Sequence, residues 1–284
     1  MASIGIVTDS TSGLSEVQLK EHGIASVPLY VRFGTEMFKE GVDLSSEEFY
    51  RRLTEREVFP ATSQPSPGDF LEVYRKLERE VDSIVSIHIS SRLSGTCESA
   101  IAASKDPDLK VKVDVVDSLS VSLGAGYMAI SAAKMAAAGE DRESILRALA
   151  EMVAATRIAF IVDTLEYLRR GGRIGGAQAF LGSLLRIKPV LHIVNGQVEP
   201  LDRSRSTRRG MERVIRYVED EWGKDPLPFA AVLHAVAPDE AERMKEVISA
   251  RFEVGEWYKG ELSPVIGTHC GPGLVGLCFH GRRR

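Results

Sequence analysis

Residues 84–100 read IVSIHISSRLSGTCESA: a short apolar run, then a turn rich in hydroxyls with one glycine, then a helix-compatible run. Apolar and β-branched residues bounded by turn formers predict a buried strand over 84–89. A strand that runs through such a turn into a helix is a good place to hold an oxyanion. The N–H groups of the helix start and the hydroxyls of Ser94 and Thr96 converge there, with Gly95 between them. The same residues admit two other readings. The hydroxyls can simply cap the helix beginning near Cys97, or Ser94 can be a nucleophile. A nucleophile elbow calls for glycines on both sides at the G-x-S-x-G spacing, and Arg92-Leu93-Ser94-Gly95-Thr96 lacks the upstream one. On these residues alone all three stay open.

Outward from this stretch, the first half alternates strand and helix signals. Residues 4–7 form an apolar run ending in Thr8-Asp9-Ser10, Ser15 can cap a helix reaching His22, and 24–33 read as a second strand. Ser45 with Glu48 has the pattern of a capping box. Ser66-Pro67-Gly68-Asp69 opens a further helix with proline at its first position. Residues 111–116 predict a strand before Asp117-Ser118, followed by an Ala-rich helix to Ala138 and another over 141–156. Strands alternating with helices of this length imply a mostly parallel sheet with helices on both faces. Ligands of such sheets sit beyond the carboxyl ends of the strands. Those ends carry Thr8-Asp9-Ser10, Ser90 through Thr96, and Asp117-Ser118, all rich in hydroxyls and carboxylates.

The second half reads differently. A strand over 158–162 leads to Arg169-Arg170-Gly171-Gly172-Arg173, and a helix then runs through Leu185 to end before Lys188-Pro189. Asn195-Gly196 between apolar runs at 190–194 and 197–201 predicts a hairpin. Helices over 207–221 and 239–251 flank a strand at 229–236, and the tail 264–279 reads as two short strands around Gly271-Pro272-Gly273. The expectation is an α/β protein of two domains, 1–157 with the parallel sheet and 158–284 with a mixed one.

Of the 284 residues, 44% are hydrophobic and 27% charged, an ordinary globular balance. A net charge of −4 does not favour nucleic acid, and the basic clusters are local: Arg169, Arg170 and Arg173, then Arg203, Arg205, Arg208 and Arg209. Cys97, Cys270 and Cys278 lack metal-ligand spacing. Reduced thiols in a cytoplasm are expected, since the opening MASIGIVTDS passes directly into a strand pattern. No apolar run approaches the roughly 18 residues of a membrane span.

Other candidates for chemistry are few. Ser66 is a helix cap, whereas Thr62 and Ser63 lie too far upstream for that duty and are free to meet a ligand. His269 sits among glycines, where it can be a solvated turn residue or a donor to a carboxylate. Paired with Ser94, and with Asp9 or Asp117 as orienter, it would make a serine hydrolase or acyltransferase. Arg170-Gly171-Gly172-Arg173 is either a helix end with basic residues in its last turn or a phosphate or partner contact. That second reading would make the chain a regulator binding a phosphorylated metabolite. A metal at Asp9 and Asp117 has little support.

Taken together, TDST at Thr8, ATSQPSPGDF at Ala61, ISSRLSGTCESA at Ile89, LEYLRRGGRIGG at Leu165, LLRIKPVL at Leu184 and GTHCGPGLVG at Gly267 resemble the DegV family, in order and over nearly the whole chain. The resemblance implies a two-domain protein with one long-chain fatty acid in a tunnel between the domains and no other cofactor. It implies a non-catalytic role as the binding subunit of a bacterial fatty acid kinase. The kinase catalytic subunit is the partner, and the acyl phosphate goes to phospholipid synthesis. By that resemblance Thr62 and Ser94 hold the carboxylate with Ser63, Gly95 and Thr96 beside them, and His269 completes the network. Arg170 and Arg173 stand near the head group, while Arg203 and Arg205 fall at the kinase contact. Cys270 departs from the threonine or valine equally expected there. Leu93, Ile174, Phe180, Leu181, Leu184 and Leu185 can line such a tunnel or be ordinary core.

Overall fold

The structure, a computed structural model, describes residues 3–55, 59–182 and 187–280. The first half contains β1 (Ile4–Asp9), α1 (Glu16–Glu21), β2 (Ile24–Val27), β3 (Tyr30–Phe33), β4 (Glu36–Lys39), α2 (Ser46–Glu55) and β5 (Ala61–Ser63). It continues with α3 (Pro67–Leu77), β6 (Ser83–His88), α4 (Thr96–Ser104), β7 (Lys112–Asp117), α5 (Leu123–Ala137) and α6 (Arg142–Ala155). The expected parallel sheet is present, in the order β2-β1-β6-β7. Successive residues of a strand point to opposite faces, and both faces here are apolar. Ile6, Val85 and Ile87 pack with Met128, Ile130, Ile145 and Leu149 of α5 and α6. Val7, Val27 and Ile84 pack with Phe70, Tyr74, Ala100 and Ala103 of α3 and α4. Helix α3 starts as its sequence predicts: Ser66 Oγ accepts the Asp69 N–H at 3.2 Å and the Asp69 carboxylate accepts the Ser66 N–H at 2.8 Å.

The strand expected over 24–33 is two strands in two sheets. Pro28 has no N–H to continue a ladder, so the chain leaves the parallel sheet after Val27. It joins a small antiparallel sheet ordered β4-β3-β5.

The second half holds β8 (Thr156–Ile161), α7 (Glu166–Arg170), a 3-10 helix Gly175–Phe180, β9 (Lys188–Val194), β10 (Gln197–Ser204), α8 (Thr207–Trp222), β11 (Leu227–His234), α9 (Pro238–Ser249), β12 (Val254–Glu261), α10 (Pro264–Cys270) and β13 (Val275–His280). Its sheet runs β10-β9-β8-β13-β11-β12 and is mixed, with β11 and β12 parallel and the other neighbours antiparallel. The hairpin at Asn195-Gly196 has φ of 49° and 79° at its two central residues, as a type I′ turn requires.

Three expectations are corrected. The helix expected to reach Leu185 is a 3-10 helix that stops at Phe180, Leu181 being extended; it opens with Gly175-Gly176, poor helix formers. Leu184 and Leu185 lie outside the described residues. Residues 264–270, expected as strand, form α10. Strand β12 was not expected at all.

One face of the mixed sheet, with Ala159, Ile161, Val190, Val232 and Leu277, is covered by Met211, Val214, Met244 and Ile248 of α8 and α9. The opposite face presents Ile158, Phe160, Ile193, Val198 and Leu233 to Leu29, Phe33, Phe49 and Leu123 of the first half. Among the described residues no helix is long and apolar enough to cross a membrane.

Candidate ligand cleft

Between that sheet face and the first half lies a cleft with about 1050 Å³ of empty space, counting its open mouth. Its walls are apolar over most of their length: Leu29, Ile89, Leu93 and Val121 from one side, Ile158, Phe160, Ile193, Val198, Leu233, Val265 and Ile266 from the other. Thr62, Ser63, Gln64, Ser94, Arg173 and His269 line it as well. A cavity built this way suits a ligand with a polar head and an apolar body.

Each polar group is placed by a different element. Thr62 belongs to β5, opposite Val31 of β3. Ser94 lies in the loop that leaves β6, where its N–H and that of Leu93 donate to Ser90 O at 3.1 and 2.9 Å. Ser90 in turn donates its hydroxyl to Gly196 O at 2.8 Å, tying this loop to the hairpin of the other half. The Ser91 N–H donates to Asp117 Oδ1 at 3.1 Å. Ser94 Oγ lies 2.9 Å from Thr96 Oγ1, and the N-cap of α4 is Gly95, with no side-chain cap. The capping reading of these hydroxyls is therefore corrected: they do not satisfy the helix start, whose positive end directly follows Ser94.

His269 stands in the last turn of α10, with Nε2 2.9 Å from Thr62 Oγ1. Its Nδ1 is buried without a partner. It faces Gly171, where a Cβ would lie 2.0 Å from Nδ1. Burial, with the Arg173 charge adding to it, pushes the imidazole down to about 4, so the ring is neutral at pH 7. Arg173 is fixed by two carbonyls, Nε to Leu93 O at 2.9 Å and Nη1 to Gly171 O at 2.8 Å. Helix α10 is held from the first half. Glu40 accepts the Val265 N–H at 2.6 Å, and Tyr50 OH donates to Leu262 O at 2.9 Å. Burial raises the Glu40 carboxyl, although Ser10 and Val265 donate to it.

Of the residues singled out in the sequence, Thr62, Ser63, Ser94, Arg173 and His269 share this cleft. Gly95 and Thr96 follow Ser94 without lining it. Arg170 is not in the cleft: it pairs with Glu166 at 2.5 Å and lies over the Phe59 ring, 5.2 Å from its centre. Arg203 and Arg205 are exposed, Arg203 lying 4.6 Å over Phe180. Leu93 lines the cleft, Ile174 and Phe180 pack on the adjoining core, and Leu181 is 40% exposed.

The Ser-His pair of the hydrolase reading is absent among the described contacts. Ser94 Oγ is bonded to Thr96, and His269 to Thr62. Neither proposed orienter reaches His269: Asp9 accepts from His88 and Asp117 from Ser91 and Leu119. Among the described residues no group of three His, Cys, Asp or Glu side chains could hold a metal ion. Sequence reasoning passed over Gln64, Gly171 and Glu40. Gln64 stands two residues after Thr62 in the same motif, which was a usable signal; the other two act across long sequence distances.

A family model described as "Uncharacterised protein, DegV family" matches residues 3–282. Protein DegV of Bacillus subtilis is 36% identical over 278 residues, covering 98% of this chain and 99% of that protein. A DegV domain-containing protein of Streptomyces coelicolor is 38% identical over 281 residues, with 98% and 99% covered. Among solved structures, a fatty-acid-binding DegV family protein from Thermus thermophilus superimposes with a TM-score of 0.92 at 37% identity, covering 99% of this chain and all of that one. Bacillus subtilis DegV, a fatty acid binding protein, gives 0.89 at 35% identity with the same coverage.

Proposed function

The chain belongs to the DegV family, and we propose that it binds one long-chain fatty acid in this cleft and presents the carboxylate to a partner kinase. The observation that carries the reading is the division of the cleft: hydroxyls, the Gln64 amide, one neutral imidazole and one arginine accompany walls that are otherwise apolar. Burying a tail of about 15 methylenes at ~0.8 kcal/mol each gives on the order of 12 kcal/mol before the costs of binding. Each hydrogen bond to the charged head adds about 1.5–3 kcal/mol before desolvation. The tail thus dominates affinity, and the polar groups decide where the carboxylate points.

Thr62, Ser63, Ser94 and His269 are the proposed head-group residues, with Gly95 and Thr96 behind them and Arg173 as the nearby positive charge. With Nε2 of the neutral His269 as donor, the Thr62 oxygen accepts and the Thr62 proton is free to turn into the cleft. Arg170 joins only if its pair with Glu166 opens. No side chain here is asked to do bond chemistry; a partner kinase catalytic subunit would bring the phosphoryl donor and take the acid to acyl phosphate, for phospholipid synthesis in a bacterial cytoplasm. The exposed Arg203 and Arg205 are the proposed contact with it. Segments 1–157 and 158–284 are proposed as the two domains between which the lipid lies.

Native mass spectrometry of the purified protein tests the binding step. A co-purifying C14 to C18 acid is expected, and a protein that emerges empty and takes up no palmitate overturns the reading. For the presenting step, Ser94→Ala is expected to keep its lipid yet support acyl phosphate formation poorly. Full turnover in that variant would remove Ser94 from the head-group site.

A further inference from the structure

Gln64 stands on the lip of the cleft, exposed to solvent, and none of the roles above uses it. Its side chain reaches across to α4, where Nε2 donates to Ser99 Oγ at 3.3 Å. Gly95 makes room for it. A Cβ at position 95 would lie 2.3 Å from Gln64 Oε1 and 2.5 Å from Nε2, closer than any Cβ contact allows. Gly95 has φ −74° and ψ 13°, which other residues also adopt. Backbone conformation therefore does not demand glycine there; a side chain at 95 would instead displace the Gln64 amide, the far end of a flexible side chain, from its seat.

The position matters because of what lies on either side. Thr62 is carried by β5 in the small antiparallel sheet, and Ser94 by the loop leaving β6 in the parallel sheet. Among the described residues no backbone hydrogen bond joins residues 61–64 to residues 90–99. The Gln64 amide is a polar link between the two segments, seated on the residue next to Ser94.

We propose that Gln64, seated on Gly95 and held by Ser99, is a positioning residue that sets the spacing of Thr62 and Ser94, and through it the preference for a carboxylate over other head groups. The inference rests on the proposed function and deepens it. Since Gln64 is exposed, its loss removes a spacer rather than a piece of the core. Gln64 and Gly95 then act as one unit: a methyl at 95 expels the amide, whose atoms are the nearest it would meet.

The test compares full-length wild type, Gln64→Ala, Gly95→Ala and the double variant for binding of a C16 acid and the C16 alcohol. The expected result is roughly a tenfold loss for the acid in each single variant, alcohol affinity within about twofold of wild type, and a double variant no worse than either single one. Wild-type acid affinity in Gln64→Ala overturns the proposal, and so does equal loss of acid and alcohol. Losses that add in the double variant also overturn it, since Gln64 and Gly95 would then act separately. A wild-type protein that binds neither compound sinks the fatty-acid reading itself, and the proposal with it.

Discussion

Two histidines, the fully buried His88 and the half-buried His269, occupy opposite kinds of polar site in this molecule. His88 has both nitrogens engaged: Nε2 lies 2.6 Å from Ser86 Oγ and Nδ1 3.0 Å from Asp9 Oδ2. Ser86 also takes a hydrogen bond from Tyr74 OH at 2.9 Å. Asp9 also accepts from the N–H groups of Ile89 and Thr11, both at 3.0 Å, and from the Thr11 hydroxyl. By composition this is a serine, a histidine and an aspartate in contact, as in a hydrolase. Yet Ser86 and His88 are 0% exposed, Asp9 is 1%, and the Phe70 ring packs edge-on against His88. His269 has one nitrogen bonded and one orphaned, and it lines the cleft. The difference teaches that a triad's composition does not make a site. A place on the wall of an open cleft does, and of the two only His269 has it.

The contrast can be broken from the sealed side first. Asp9→Ala leaves His88 Nδ1 and the N–H groups of Ile89 and Thr11 without their acceptor, and a loss of about 3–5 kcal/mol is expected in chemical denaturation. A loss under about 1 kcal/mol would show that the sealed His88 network contributes little to the fold. Burial alone would raise the Asp9 carboxyl, but His88, Thr11 and Ile89 outweigh it and hold it below the ordinary range. Its contribution is thus present above the unfolded value of about 3.8 and fades as pH falls below it.

On the cleft side, Gly171→Ala puts a methyl where His269 Nδ1 lies. About 1–3 kcal/mol of stability should go, together with acid affinity. A variant whose thermal unfolding and palmitate binding both match wild type would show that His269 need not stay where it is.

Acid pH sharpens the comparison. His269 is held at about 4 against 6.5 when unfolded, so over that interval the unfolded chain takes a proton that the folded one refuses. Stability is full above about pH 6.5, falls by up to ~1.4 kcal/mol per pH unit as pH drops, and levels off below 4. His269→Gln should remove that slope, leaving the shares of His280, which burial also holds at about 4, and of His192 and His234, which burial lowers as well. Denaturation curves at pH 5 and 7 decide it: an unchanged pH 5 to 7 difference in the variant contradicts the assignment.

The smallest effect is expected from Ser94→Ala, about 1.5 kcal/mol in acid affinity, or roughly tenfold, by calorimetry, the low end for a hydrogen bond to a charged group. Abolished binding would mean that the head group and not the tail supplies most of the affinity.

Local signals were legible in the sequence wherever local physics decides the structure. The strand before Ser90, the cap at Ser66 with Pro67, and the Asn195-Gly196 turn are each fixed by neighbours in the chain. Strand β12 was not legible because it is an edge strand, half-exposed and carrying Glu256, Lys259 and Glu261, so no apolar run marks it. Helix α10 was missed for a different reason. Its β-branched residues Val265 and Ile266, the interior Gly267 and Gly271 just past its end argue against helix, and its Val265 N–H finds an acceptor in Glu40, 225 residues away. The same distance hides the site. Thr62, Ser94 and His269 could be named from motifs, but the orphaned Nδ1, the seat at Gly171 and the bridge from Gln64 exist only after folding.

The Ser90–Gly196 bond spans 106 residues and the Thr62–His269 bond 207. Chains leave the ribosome from their N-termini, and contacts of large sequence separation form last because loop closure must come first. When the parallel sheet has been synthesised, the loop bearing Ser94 still lacks its brace, and β5 still lacks the imidazole that faces Thr62. The cleft's apolar wall is also waiting for its other half. The cleft is therefore completed only when α10, far down the chain from β5, has been made.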